Sequence, residues 1–104
     1  MARVRLSRRA EADLLGIGTY TLRAWGEDQA GRYIDDLEAF CETLAANPAQ
    51  GRRWDEVRRG LRRMETGQHV VFYREETGGI LVSRVLHQRM LPEQYDLEEE
   101  DGVS

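Results

Sequence analysis

The stretch SRRAEADLLGIGTYTLRAWGEDQAGRYIDDLEAFCETLAANP, residues 7–48, carries two helical patterns with almost nothing between them. Ser7 is a favourable N-cap. An apolar stripe at helical spacing follows, made of Ala10, Leu14, Ile17, Thr21 and Trp25. Gly26 then ends the pattern as a C-terminal glycine does. The spacing predicts a helix over residues 8–25, with Trp25 packed in the core or at the elbow.

A second helix is predicted to start directly after Gly26. Glu27 and Asp28 fall in its first turn, where the helix dipole favours acids. Its apolar stripe is longer and consists of Ala30, Tyr33, Ile34, Leu37, Phe40, Cys41 and Leu44. Asn47-Pro48 ends it. Because so little chain joins the two helices, they must pack antiparallel as a hairpin.

The rest of the chain has the period of strands. Alternation predicts a strand at Arg3–Leu6, and the region after the loop 48–57 predicts three more, at Leu61–Glu65, His69–Arg74 and Ile80–His87. Tight turns separate these three, which is typical of an antiparallel meander. The prediction is therefore an α+β fold with an N-terminal strand and an antiparallel two-helix hairpin packed on a small antiparallel β-meander. One domain spans residues 1–92, Pro92 opens a short helix, and residues 93–104 form a partly disordered acidic tail.

Neither face of the predicted meander is cleanly polar. Val70 and Phe72 point to one side and Val71 and Tyr73 to the other; in the last strand Ile80 and Val82 oppose Leu81 and Val85. A sheet with one solvated face should alternate apolar and polar residues. A two-helix hairpin covers one face, so we expect a partner protein to cover the other.

Composition indicates a globular domain with a well-solvated surface, because 33% of the 104 residues are charged and 40% are hydrophobic. No signal peptide or membrane span is apparent, so we expect a cytoplasmic protein without membrane contact. All 15 basic residues are arginine, and six of the 19 acids follow residue 92. The remaining chain therefore carries a net charge of about +2.

Metal and nucleophilic chemistry find no support in the pattern. Cys41, His69 and His87 lack ligand spacing, and no cofactor motif is present, so neither a metal nor a cofactor is expected. Cys41 lies in a helical stripe and is interpreted as a core residue. Ser83 lies inside a strand, without the sharp turn of a serine nucleophile.

Arginines cluster in the second half of the chain, at Arg52, Arg53, Arg58, Arg59, Arg62 and Arg63, with Arg74, Arg84 and Arg89 beyond. They form either an ion-paired surface or a surface for acidic segments or phosphates. Arg84 has apolar or small strand neighbours and therefore needs a partner. His87 is either a satisfied strand-end histidine or a general acid or base. Trp54 is expected to be exposed or stacked on an arginine.

These segments in this order resemble one family. The residues that carry the resemblance are Arg5–Ala10, Asp13-Leu14, Ile17, Tyr20, Trp25-Gly26, Gln29-Ala30, Tyr33, Asn47-Pro48, Gly51-Arg52, Glu56–Arg58, Gly60–Arg63, Gly67, His69–Arg74 and Arg84–Met90. The chain is similar over about residues 3–90 to ParE-type toxins of the RelE/ParE superfamily. The resemblance implies a non-enzymatic toxin of a type II toxin–antitoxin system that inhibits DNA gyrase. It also implies a ParD-like antitoxin that neutralises the toxin and binds operator DNA through a ribbon-helix-helix domain.

Two alternatives stay open. One is a ribosome-dependent mRNA endoribonuclease of the RelE type, in which Arg62, Arg84 and His87 (with Tyr95) would be catalytic. The other is a degenerate member without toxicity. For antitoxin binding, the predicted contacts are Trp54, Arg58, Arg59, Arg62, Met64, Tyr73, Arg84 and His87, on the apolar sheet face and the Arg-rich strand. After Met90 the chain departs from the ParE pattern, and we hypothesise that its acidic tail competes for the arginine cluster.

Overall fold

The computed structural model describes residues 2–89, so the predicted helix after Pro92 and the predicted disordered end lie outside the described residues. The elements are β1 (Arg3–Leu6), α1 (Arg8–Trp25), α2 (Glu27–Ala46), a short 3-10 helix at Pro48–Gln50, β2 (Arg52–Arg53), β3 (Arg62–Thr66), β4 (His69–Glu76) and β5 (Gly79–His87). The two-helix hairpin is confirmed, with both helices at the predicted bounds. The three predicted meander strands are present, with ends shifted by one or two residues.

The sheet is mixed rather than purely antiparallel. Its strand order is β1-β5-β4-β3-β2, and β1 runs parallel to β5 while the other neighbours are antiparallel. A parallel pair needs a crossover connection, and the α1–α2 hairpin with the meander supplies it. The two-residue β2 falls within the region predicted as a loop.

Ser7 connects the start of α1 to the sheet. Its hydroxyl accepts the Ala10 N–H at 3.0 Å, as an N-cap should, and donates to the Ser83 carbonyl at 2.8 Å. Ser83 is the extra residue of a β-bulge, because Phe72 pairs with Arg84 whereas Tyr73 pairs with Val82. One buried hydroxyl therefore caps a helix and satisfies a carbonyl at the irregular point of the central strand.

The bulge corrects one assignment of sheet faces. Val85 was expected opposite Val82, but both belong to the helix-side core. The inserted Ser83 shifts the alternation by one residue, and that shift returns Val85 to the face of Val82. The buried members of the helix-side core are Ala10, Cys41, Leu44, Ala45, Val71, Tyr73, Ile80, Val82 and Val85. Cys41 is a core residue, as predicted.

The opposite face is covered by the chain itself. Its buried cluster of Leu61, Val70, Phe72 and Leu86 packs against Trp54 and Val57. The expectation that a partner must cover this face is therefore wrong in its premise. The segment between β2 and β3 folds back over the sheet. For the first part of this segment, the sequence predicted only a loop.

Candidate functional site

Arg84, singled out as a charge in need of a partner, has one on helix α1. Its Nε and Nη2 donate to the two carboxylate oxygens of Asp13 at 2.8 and 2.9 Å, and the Val85 N–H donates to the same carboxylate at 2.9 Å. The two side chains are only 14% and 13% exposed. This bidentate pair ties α1 to β5 and leaves little guanidinium surface for a ligand.

Arg62 and Tyr73 serve a second structural contact. The Tyr73 hydroxyl donates to the Pro48 carbonyl at 2.7 Å and accepts the Gly51 N–H at 2.9 Å, while Arg62 Nη1 donates to the Gly51 carbonyl at 2.8 Å. Burial raises the pKa of Tyr73. Tyr73 is fully buried and is therefore removed from the predicted contact surface.

Trp54 stacks as expected, and its partner is an arginine of β3. The Arg63 guanidinium lies 4.4 Å from the Trp54 ring centroid and 5.6 Å from that of Phe72. The two rings are stacked at 5.6 Å. Cation–π contact and stacking hold the segment after β2 against the sheet, and both aromatic rings are used within the fold.

The exposed part of the arginine cluster is partly ion-paired. Arg52 Nη2 lies 2.7 Å from Glu65, and Arg53 Nη2 lies 3.0 Å from Asp55. The Gly60 N–H, ahead of Arg53, holds the pKa of Asp55 below its ordinary value. Arg59 is exposed beside them. Residues 52–65 contain six arginines and only three acids (Asp55, Glu56 and Glu65). The surface that they form, which we call the basic surface, therefore keeps a net positive charge.

His87 belongs to a histidine pair that the sequence analysis missed. It pairs across the strands with His69, and the two ring centroids are 5.4 Å apart. His69 Nδ1 lies 2.6 Å from the Tyr33 hydroxyl of α2. Burial, and secondarily His87, lower the pKa of His69. The meander prediction placed His69 and His87 at neighbouring strand ends, which was the signal available for this pair.

The three residues proposed as catalytic are not directed at one point. Arg62 bonds Gly51, Arg84 bonds Asp13, and His87 Nδ1 accepts the Arg89 N–H at 3.1 Å. Arg62 and Arg84 lie on β3 and β5 with β4 between them. A general acid, a general base and a cation must converge on the reacting group. Within residues 2–89 these three side chains serve separate contacts.

Within residues 2–89, the large apolar side chains that are exposed lie on helix α1 and not on the sheet. A groove of about 460 Å³ is lined by Leu6, Leu14, Leu15, Gly18, Leu22 and Ile34, together with the polar residues Glu11 and Thr19. Leu15 is 74% exposed and Leu22 is 46% exposed. Trp25 is 70% exposed and not a core residue, because the α1 members of the helix-side core end at Ile17. The apolar residues of α1 outside its core stripe were the signal for this surface.

Known proteins identify the family. A model described as the ParE toxin of type II toxin–antitoxin systems, parDE, matches residues 4–92. Toxin ParE1 of Caulobacter vibrioides is 46% identical over 86 residues, 83% of this chain and 88% of that protein. Toxin ParE1 of Mycobacterium tuberculosis is 44% identical over 90 residues, 86% of this chain and 92% of that protein.

The chain belongs to the ParE toxin family.

Its fold agrees with that membership. A solved chain of the chromosomal ParDE toxin–antitoxin system from P. aeruginosa superposes with a TM-score of 0.69 over 84% of this chain and 96% of that chain, at 21% identity. Among residues 2–89 of this ParE-family chain, no cluster of three or more metal-ligating side chains occurs. No helix described in that range combines the length and apolar character needed to cross a membrane.

Proposed function

We propose that this ParE-family chain inhibits DNA gyrase without enzymatic chemistry of its own and is held inactive by a ParD-like antitoxin in the cytoplasm. The family match over residues 4–92 carries the proposal. The engagement of Arg62, Arg84 and His87 in separate contacts of the fold supports a binder over a ribonuclease.

The antitoxin would dock on the hairpin groove, which includes Leu6 of the edge strand β1, and would extend to the basic surface on β2 and β3 at the opposite edge of the sheet. An amphipathic segment buries its apolar residues in a preformed apolar groove, and the groove at Leu15 and Leu22 is lined mainly by apolar side chains. Acidic residues of the same partner would meet the arginines. Of the contacts predicted from sequence, Trp54, Arg58, Arg59, Arg62, Met64 and His87 keep some exposure and remain candidates. Arg84 is paired with Asp13 and has little guanidinium surface left for the antitoxin.

The docking proposal is tested by a charge placed in the groove. Leu22→Glu should weaken binding of the antitoxin by more than about tenfold, because a carboxylate would be buried against Leu15 and Ile34. Ala39→Glu places the same charge on an exposed position of α2 and is the control. Equal affinities of the two variants, measured by titration calorimetry, would place the antitoxin elsewhere.

The target is tested with purified gyrase. The toxin should inhibit supercoiling of relaxed plasmid, and the antitoxin should restore it. Primer extension on cellular mRNA reveals the ribonuclease alternative, as does His87→Ala: a ribonuclease that uses His87 would lose orders of magnitude in rate, whereas a gyrase binder loses at most a few kcal/mol of affinity. A chain inactive in both assays would be a non-toxic member.

Regulation by the toxin together with its antitoxin is also proposed, on the basis of the same family match. The antitoxin would carry a ribbon-helix-helix domain, and the complex would bind operator DNA through it. A small open reading frame directly upstream, with that pattern and an amphipathic C-terminal half, identifies the partner to be used in these assays. Gel-shift with the toxin alone should show no operator binding, and the complex should bind.

A further inference from the structure

The histidine pair His69–His87 lies at the end of the sheet where β4 begins and β5 ends. The Tyr33 hydroxyl of α2 lies 2.6 Å from His69 Nδ1 and accepts the Gln68 N–H at 3.2 Å. The hydroxyl still has its own proton to donate, and His69 Nδ1 is the acceptor that it reaches among residues 2–89. This arrangement requires a neutral His69 ring with its proton on Nε2.

His87 uses the same ring nitrogen as an acceptor. Its Nδ1 accepts the Arg89 N–H at 3.1 Å, and a backbone N–H can only donate. The ring proton of neutral His87 is therefore also on Nε2. A proton added to Nδ1 of either ring turns an acceptor into a donor. The Tyr33 hydroxyl would then lose the acceptor of its proton, and the Arg89 N–H would face a second donor.

The charges around the two rings add to the preference for neutral histidines. The ring centroids are 5.4 Å apart, so a positive charge on one ring opposes a positive charge on the other. Burial, and next His87, lower the pKa of His69 from its ordinary 6.5, whereas Asp13 of α1 raises it. Asp13 is itself engaged by Arg84. On β3, the residue paired with His69 is the uncharged Thr66.

The same cluster holds the turn between β3 and β4. A Cβ added at Gly67 would lie 2.9 Å from the Tyr33 hydroxyl oxygen, so this tyrosine packs directly on the turn. From the other side, the Gln88 N–H donates to the Gln68 carbonyl at 2.9 Å, and the Gln88 side-chain amide donates to the Gly67 carbonyl at 2.9 Å. Protonation of the histidines therefore acts on the contacts that hold this turn to α2 and to the chain after β5.

We propose that Tyr33, His69 and His87 form a pH-sensitive latch, which is closed when both histidines are neutral and releases the Gly67-Gln68 turn from α2 when His69 is protonated. Because folding lowers the pKa of His69, the folded chain binds this proton less tightly than the unfolded chain. The contribution of the latch to the free energy of unfolding is complete above pH 6.5 and is lost as the pH falls through the lowered pKa.

Nuclear magnetic resonance of the ring nitrogens tests the latch directly, because the chain contains only two histidines. At about pH 8, both rings should carry the proton on Nε2 and none on Nδ1. Between about pH 7.5 and 5, the protection of the Gln68 and Arg89 amides against hydrogen exchange should fall at least about threefold. The Leu61 amide, bonded to the Arg58 carbonyl, is the control and should keep its protection.

Two variants test the contacts of His69. Tyr33→Phe removes the hydroxyl and should raise the midpoint of the His69 titration, because the neutral ring loses its donor. Tyr20→Phe removes an exposed hydroxyl from α1 and is the matched control, with an unchanged midpoint. His87→Gln keeps an acceptor for the Arg89 N–H and should also raise the His69 midpoint, because the repulsion between the rings is removed.

Three results would each overturn the proposal: a His69 ring with its proton on Nδ1 at about pH 8, Gln68 protection that does not change with pH, or a folded Tyr33→Phe variant with an unchanged His69 midpoint. Circular dichroism verifies that each variant is folded. If Tyr33→Phe does not fold, the ring protons and the amide protection of the unaltered chain decide the question alone.

Discussion

At the scale of single residues, the Asp13–Arg84 pair is a buried ion pair, with side chains 14% and 13% exposed. Asp13→Ala removes both guanidinium contacts and the acceptor of the Val85 N–H. Removing one member of a buried pair leaves its charge poorly compensated, and the expected cost is roughly 3 kcal/mol. The free energy of unfolding in urea, followed by circular dichroism, measures it.

The exposed pair Arg53–Asp55 provides the comparison. Its side chains are 68% and 42% exposed, so water screens the attraction. Arg53→Ala should therefore change the free energy of unfolding by less than about 1 kcal/mol. Similar losses of unfolding free energy in the Asp13 and Arg53 variants would show that burial does not determine how much these ion pairs stabilise the fold.

The sequence indicated that Arg84 needed a partner, but it could not identify Asp13 as that partner, because α1 and β5 are brought together only by the fold.

Cys41 gives a residue-scale test of the core. Burial raises the pKa of its thiol from the ordinary 9.0 to about 11. The raised pKa keeps the thiol neutral and unreactive at pH 8, where only the thiolate is alkylated. Since this is the single cysteine of the chain, iodoacetamide labelling followed by mass spectrometry reports on it alone.

We expect native Cys41 at pH 8 to react about 100-fold more slowly than in urea-unfolded chain, from the thiolate fractions alone. Because folding raises the pKa of the Cys41 thiol, the neutral thiol contributes to the free energy of unfolding. That contribution is complete below pH 9 and is lost as the pH rises toward 11. Equal labelling rates in the native and unfolded chain would mean that Cys41 is not buried in the folded protein.

At the scale of elements, the docking of β1 depends on Gly79. The β1 backbone at Arg3 lies so close to Gly79 that an added Cβ would collide with it. Gly79→Ala should therefore separate β1 from β5, and hydrogen exchange of the Val4–Leu6 amides should accelerate strongly. The backbone, unlike a flexible side chain, cannot give way.

Gly78→Ala is the matched control for this effect. Gly78 has a φ of 81°, but its added Cβ would meet nothing within 4 Å. The variant should cost about 1–2 kcal/mol for the left-handed conformation and leave β1 paired. If both variants affect β1 exchange equally, turn strain rather than close backbone contact is responsible.

The elements differ in how far the sequence determined them. Both helices were predicted at their observed bounds, because Ser7, Gly26 and Asn47-Pro48 are local signals that act within a few residues. The sheet faces were predicted less well. The bulge at Ser83 depends on pairing between β4 and β5, and the cover by Trp54 depends on the Arg63 and Phe72 side chains beneath it. Such features are set by contacts distant in sequence.

For the candidate site too, the sequence predicted some features and missed others that depend on contacts distant in sequence. The sequence located the basic surface, because six arginines lie close together within residues 52–63 and Arg52, Arg53 and Arg59 are exposed. It did not locate the hairpin groove, because Leu15 and Leu22 flank the predicted stripe and look like ordinary helical residues. Tyr73 was assigned to the antitoxin-binding surface because it lies on an apolar sheet face that was expected to be uncovered, yet its hydroxyl donates to the Pro48 carbonyl and accepts the Gly51 N–H inside the fold.

At the scale of the whole molecule, charge separates into a basic body and an acidic end. The chain carries −4 overall, although six of its 19 acids lie after residue 92 and the rest is net positive. Those six acids lie outside the described residues, whereas the basic surface at Arg52, Arg53 and Arg59 is exposed. An acidic segment tethered to a basic surface competes with any acidic partner for it.

Truncation after Met90 should therefore strengthen binding of the antitoxin, by roughly three- to tenfold at low salt, since the competing charges are removed. The gain should shrink at about 0.5 M salt, where the Debye length falls to a few ångströms. A variant that keeps all 104 residues but replaces the six acids with amides separates charge from length. If the amide variant behaves as the full chain and only truncation changes affinity, the tail acts by occupying space rather than by its charge; if neither changes affinity at either salt concentration, the tail does not compete for the basic surface.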